Sequence, residues 1–163
     1  MTRGSQQKIE TDVIESFLKH LKKDGFKIRY EPQKTEAPDF RLFIEDRVVG
    51  CELTRITLEE LEQWARGHSD RTATLEEEIL GNRVEEWIEE LLLRKIEKIP
   101  RYRKNCRCDE LWLVVHFGII PLFDHALENF KKMQKTIESI PHDFDKIWFV
   151  GESSDVRLLW PLK

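Results

Sequence analysis

Two carboxylates stand where a single tight hairpin would bring them together. Pro38-Asp39 precedes the run Phe40 to Ile44, the polar turn Glu45-Asp46-Arg47 follows, and a second run, Val48 to Leu53, carries Glu52. Both runs have the β-branched and aromatic content of strands. A tight turn between them sets Asp39 opposite Leu53, give or take one residue, so that its carboxylate approaches Glu52 across the pair. Alternation along the second strand points Glu52 and Thr54 to one face and Cys51, Leu53 and Arg55 to the other. Oxygen-bearing side chains converging on one spot suit a hard divalent cation, and Mg²⁺ bound for phosphate chemistry uses one or two carboxylates and keeps several waters. Such an ion stabilises charge on phosphate oxygens and generates hydroxide from bound water, so the chemistry this pattern predicts is phosphodiester hydrolysis. Taken singly, Asp39 also reads as a turn residue after Pro38, and Glu52 as part of a solvated strand face.

The elements around the hairpin must position these groups. From Ile9 to Lys22 the apolar residues Val13, Ile14, Phe17, Leu18 and Leu21 recur at helical spacing, and Asp24-Gly25 gives the stop before a strand at Phe26 to Tyr30. Glu10 lies three, four and seven residues before Val13, Ile14 and Phe17, near the centre of the buried stripe, whereas Glu15 falls on the wet face. A carboxylate on an apolar stripe is costly without a partner, although a glutamate at a helix start is also favoured by the macrodipole. After the hairpin, Thr57 and Glu60 form a capping box for a helix over Leu58 to Arg66, broken by Gly67-His68-Ser69-Asp70. A longer helix runs from about Thr74 or Asn82 to Ile99 and is ended by Pro100, with the stripe Val84, Ile88, Leu91, Leu92 and Ile99. Lys95 points to the core side of that helix, Arg94 points away and Lys98 sits on the flank. Snorkelling, with the stem packed and the ammonium in water, is the plain reading of Lys95. Glu110 to Phe117 is a nearly continuous apolar run that suits a central strand covered on both faces. Asp124 caps a helix to about Ile140, and Lys146 to Val150 and Val156 to Pro161 read as two final strands joined by a turn at Gly151 to Asp155. The pattern predicts an α/β protein with a mixed central sheet flanked by helices.

With these residues in this order the chain resembles the PD-(D/E)XK nucleases, whose signature is Pro-Asp at the start of one strand and Glu-x-Lys on the next. The matching residues are Pro38-Asp39 and Glu52-Leu53-Thr54, with Thr54 where the family has lysine. The resemblance implies a restriction-endonuclease-like αβββαβ core, here with an added helix and a C-terminal β-hairpin. It implies Asp39 and Glu52 as metal ligands for Mg²⁺, with Mn²⁺ as a substitute, Glu10 as a third ligand from the first helix, and Thr54 offering a backbone carbonyl or hydroxyl. Members lacking the strand lysine can supply it from a helix, and Lys95, with Tyr102 beyond it, looks like such a migrated lysine, there to orient the attacking water and offset charge at the phosphate. The implied activity is cleavage of nucleic acid, DNA before RNA. The alternatives are a nuclease-fold module that has lost catalysis and binds nucleic acid or a protein partner, and a structural subunit that forms a homodimer through Trp64, Trp87 or its long helices.

Composition bounds this reading. The chain has 163 residues, 40% of them hydrophobic, enough for one domain, 1–163, with an ample core, and no Pro/Gly/Ser tract marks a linker. No apolar run approaches the ~20 residues needed to cross a bilayer, and Met1 to Ser5 lacks an apolar signal region, so a cytoplasmic location is expected. Cys51, Cys106 and Cys108 have no zinc-ligand spacing and read as free thiols. His116, on the central strand, reads as a satisfied core residue or one near a site. A formal net charge of −4 gives no general attraction to a phosphate backbone. The charge is uneven, however: Arg94, Lys95, Lys98, Arg101, Arg103, Lys104 and Arg107 form a basic segment, whereas Glu76 to Glu90 is acidic. Lys98, Arg101, Tyr102 and Arg103 are the candidates to hold a nucleic-acid strand beside the metal site; a solvated helix end is the plainer reading of the same charges.

Overall fold

The computed structural model describes residues 3–33, 37–56, 84–117, 126–151 and 156–161. In chain order its elements are α1 (Arg3–Lys22), β1 (Ile28–Pro32), β2 (Phe40–Ile44), β3 (Arg47–Ile56), α2 (Val84–Ile96), α3 (Ile99–Cys106), β4 (Glu110–Phe117), α4 (Ala126–Ser139), β5 (Lys146–Val150) and β6 (Val156–Trp160). The strands form one six-stranded mixed sheet in the order β1-β2-β3-β4-β5-β6. The first three run antiparallel, β3, β4 and β5 run parallel, and β6 returns antiparallel to β5. This is the mixed, helix-flanked α/β sheet that the apolar patterning predicts.

Two apolar layers cover the sheet. Val13, Ile14, Phe17, Leu18 and Leu21 of α1 pack on Leu42, Val49, Cys51, Leu53, Trp112 and Val114. On the opposite face Ile88, Leu91 and Leu92 of α2, Ile99 and Tyr102 of α3, and Met133 and Ile137 of α4 pack on Leu111, Leu113, Val115 and Phe149. Strand β4, paired on both edges, is buried from Leu111 to His116, which is why its sequence is continuously apolar rather than alternating. His116 is satisfied within this core by a hydrogen bond between its Nδ1 and the Val150 carbonyl.

The β2–β3 hairpin sets the geometry that matters. Phe40 pairs with Cys51 and Ile44 with Arg47, so the turn is the two residues Glu45-Asp46 rather than three. Glu45 takes a positive φ of 50°, and its side chain accepts a hydrogen bond from the Lys27 N–H, which fixes the turn against the loop before β1. Extended by one residue, this register puts Asp39 beside Glu52, one position from Leu53.

The long helix differs from expectation. It ends at Ile96, and a separate helix, α3, begins at Ile99 with Pro100 in its first turn. Proline is accommodated there because the first N–H groups of a helix have no intrahelical partner. The basic stretch after Pro100 is therefore helical, and it ends at Arg107 in a left-handed conformation, φ 51° and ψ 51°. Strand β1 starts at Ile28 rather than Phe26 and runs to Pro32. The expected helix over Leu58 to Arg66, its capping pair, the early start of α2 at Thr74 or Asn82, the Asp124 cap, and the side chains of Trp64 and Trp87 lie outside the described residues. Among the described residues no helix is long and apolar enough to cross a membrane.

Candidate active site

The hairpin register and the helix break act together on Glu52. Its side chain lies on the α2 and α3 face, 5% exposed overall, in a setting where an unpaired charge would be prohibitive. Three donors satisfy it. Lys95 Nζ, from the last turn of α2, and the Tyr102 hydroxyl, from α3, both donate to Oε1 at 2.7 Å, and the Asp39 N–H donates to Oε2 at 3.3 Å. Lys95 is thus drawn to the sheet by the carboxylate, while Arg94 and Lys98 are exposed. Tyr102 itself is 5% exposed. Burial and the bond to Glu52 push its hydroxyl pKa up, so it remains a proton donor.

Asp39 is clamped through its backbone and its side chain. Its carbonyl accepts from the Gln33 N–H at 2.8 Å, and its Oδ2 accepts from the Leu53 N–H at 2.9 Å. Among the described residues no donor reaches Oδ1. Burial, and then the neighbouring Glu52 charge, push the Asp39 carboxyl from its ordinary 3.8 to about 7. The Leu53 N–H and the Lys95 ammonium pull the other way, and Glu10, reaching in from α1, adds to the rise. Two acids in one partly desolvated place repel, and at least one of them then titrates above its ordinary value.

The other sequence-predicted residues distribute around this centre. Glu10 is half-buried on α1 and close enough to act electrostatically on Asp39. Thr54 lies two residues beyond Glu52 on the same strand face and is half-buried. Arg101 is exposed and close enough to act electrostatically on Tyr102. Lys98 is exposed at the start of α3. Arg103 turns elsewhere, donating to the Asp143 carbonyl and, at 3.2 Å, to Asp145 Oδ2. Among the described residues no three His, Cys, Asp or Glu side chains form a ready-made metal cluster.

Two contributors were not legible as such in the sequence. Tyr102 reads there as a surface contact for substrate; the structure buries it as a donor to Glu52, a role signalled only by its place with Ile99 and Cys106 on the apolar face of α3. The Leu53 N–H, which orients Asp39, carries no side-chain signal at all. No protein-family model, curated protein or solved structure matches the chain.

Proposed function

We propose that this protein is a metal-dependent nuclease that hydrolyses phosphodiester bonds of nucleic acid, DNA before RNA, as a variant of the PD-(D/E)XK pattern whose lysine has moved from strand to helix. The observation that carries the reading is the convergence of Asp39, Glu52 and Lys95, brought from three elements to one place, with Nζ of the helix lysine 2.7 Å from the strand carboxylate. Among the described residues this arrangement supplies an ammonium where the pattern's strand position holds Thr54.

The donor set fits a divalent cation. Burial first, and then the Glu52 charge, raise Asp39, and a bound cation would relieve the second of these; two carboxylates match the demand of Mg²⁺ for few protein ligands and several waters. Asp39 and Glu52 would hold it, with Glu10 completing the shell and Thr54 offering a carbonyl or hydroxyl oxygen. When bound, Mg²⁺ or Mn²⁺ supplies Lewis acidity toward phosphate oxygens and lowers the pKa of a bound water. Lys95 orients the attacking water and offsets charge at the phosphate, and its position is fixed in advance by Glu52. Tyr102 holds Glu52 Oε1 in place from the buried side. Lys98 and Arg101, exposed on the helix that carries Tyr102, are placed to neutralise flanking phosphates despite the overall charge of −4.

A second reading is favoured by Thr54 itself: a module that keeps the site's shape, binds nucleic acid or a protein partner, and does not cleave. Incubation with single-stranded DNA, double-stranded DNA and RNA in Mg²⁺ or Mn²⁺ separates the two. Wild type should cleave in a manner abolished by EDTA, and Asp39→Ala should lose at least ~1,000-fold, since a misheld ion forfeits both charge stabilisation and water activation. Wild type inert on all three substrates would select the second reading.

A further inference from the structure

A second chemical cluster lies one residue from Asp39. Arg41 pairs directly with Gly50 across the β2–β3 hairpin. Over this pair sit the end of α3 and the start of β4. A Cβ built on Gly50 would meet Cys106 Sγ and Cys108 Sγ, each at 3.0 Å, and Pro38 Cγ at 3.1 Å. Gly50 is therefore the residue that leaves room for two sulfurs, and both press on the same point of the strand. The left-handed turn at Arg107 between them folds Cys108 back toward Cys106, and the two thiols hydrogen-bond each other. Cys106 is buried, and Cys108 is partly open to solvent.

Arg41 completes the cluster. Its Nη2 donates to the Cys106 carbonyl at 2.6 Å, which anchors the guanidinium at this helix end. Its Nε is buried with no hydrogen-bond partner among the described residues. An unmatched guanidinium donor beside a thiol is a standing invitation to negative charge on sulfur. The Cys108 S–H and the Arg41 guanidinium accordingly pull the Cys106 thiol down to about 6 against the opposing effect of burial, while Cys108 is pushed up. Cys51, on the other face of β3, contrasts with this pair: it is fully buried, and burial and the nearby carboxylates raise its thiol, leaving it inert.

We propose that Cys106 and Cys108 form an oxidation site, a paired thiol that hydroperoxides convert to an intrachain disulfide. The pair shares one proton, and Cys108 is the less buried of the two residues. The Cys108 thiol passes its proton to the Cys106 thiolate and attacks the peroxide, forming an S–O bond, breaking the O–O bond and releasing hydroxide or alkoxide, which leaves a sulfenic acid on Cys108. The released hydroxide or alkoxide takes the proton from Cys106, whose thiolate then attacks the Cys108 sulfur, forming S–S and expelling a second hydroxide. Two electrons pass from the thiols to the peroxide, and the two thiol protons leave with the oxygens as water, or as water and an alcohol. The site stands independently of the nuclease reading.

The sequence provides a direct assay, because trypsin cuts after Arg107 and separates the two cysteines. The full chain is treated with hydrogen peroxide, quenched, denatured, alkylated and digested. The expected product is the peptide Asn105-Cys106-Arg107 joined by a disulfide to the peptide beginning at Cys108, with Cys51 alkylated. It should form about 10-fold faster in the folded protein than in urea, because the fold supplies both the contact and the thiolate. Arg41→Ala should slow it toward the urea rate, and Cys106→Ser should leave Cys108 as a sulfenic acid that dimedone traps. Recovery of Cys106 and Cys108 as separate alkylated or over-oxidised peptides, or equal rates in buffer and urea, would overturn the proposal.

Discussion

Among the described residues one ion pair ties α2 to β3 and another ties α3 to Asp145, just before β5, and the two ties differ in almost everything but chemistry. Near the α2–α3 junction, Lys95 and Tyr102 close on Glu52, with the Lys95 and Glu52 side chains 17% and 6% exposed. Farther along α3, Arg103 reaches Asp145, and the two side chains are 37% and 41% exposed. An exposed pair of the second kind adds no more than about 1 kcal/mol, because water screens it and two long side chains must be ordered. The first pair had to be desolvated, and apolar residues of the same volume would commonly serve stability as well or better. Such a pair is poor evidence for a stability role and good motivation for a chemical one. Asp39 beside it, raised to about 7, is a second charge held at a cost to the fold.

The widest separation should be seen in cleavage. Lys95→Ala should lower DNA cleavage by about 100-fold, since one preorganised electrostatic contact is worth roughly 3 kcal/mol of barrier. Lys98→Ala removes the same charge from the same basic stretch but from an exposed position, and should do much less. Equal, salt-sensitive losses for the two would instead indicate simple phosphate attraction and remove Lys95 from the chemistry.

The next effect is on stability and has a definite sign. Folded Asp39 keeps its proton to about 7, whereas its ordinary value is 3.8. Between those values the folded state binds more protons than the unfolded one, so this group makes stability fall as pH rises from about 4 to 7. Asp39→Asn keeps an oxygen for the Leu53 N–H and removes the charge. The variant should therefore match wild type near pH 4 and exceed it at pH 8, without metal, by on the order of 3 kcal/mol. Parallel pH profiles in denaturant melts would show that Asp39 is not held charged at a cost.

Much of this was legible in the sequence, for reasons that can be named. The strands β2 and β4 carry alternation or a continuous apolar run, and their bounds follow from it; the stripe of α1 marks its buried face and its end at Lys22, but the helix begins at Arg3 rather than Ile9. The Asp39–Glu52 approach was legible to within one residue, because a tight hairpin leaves little freedom of register even though the turn is one residue shorter than its polar run. Lys95 was legible from its place on the core side of an amphipathic helix. The break between Ile96 and Ile99 was not, because Pro100 permits both a stop and a start, and only packing of Ile99, Tyr102 and Cys106 against the sheet decides between them. Nor was the thiol cluster, since Gly50, Arg41 and the Cys106–Cys108 pair come from distant stretches and have no spacing rule to connect them.

Smaller effects sharpen the contrast between the two ties. Tyr102→Phe leaves Glu52 with one fewer buried donor and should cost about 1–2 kcal/mol of stability. Arg103→Ala removes the exposed pair and should cost less than about 1 kcal/mol from that pair. Chemical denaturation of both variants checks the order, and a larger loss at Arg103 would reverse the roles assigned to them.

The most direct measurement is thermal unfolding of the wild-type chain with and without millimolar Mg²⁺ or Mn²⁺, alongside Asp39→Asn. If Asp39 and Glu52 hold a divalent cation, the metal should raise the melting temperature of wild type by linkage, about 2.7 kcal/mol at a hundredfold excess over Kd. EDTA should reverse the rise, and the variant should respond far less. A wild-type melting temperature unmoved by either metal would contradict the account at its centre.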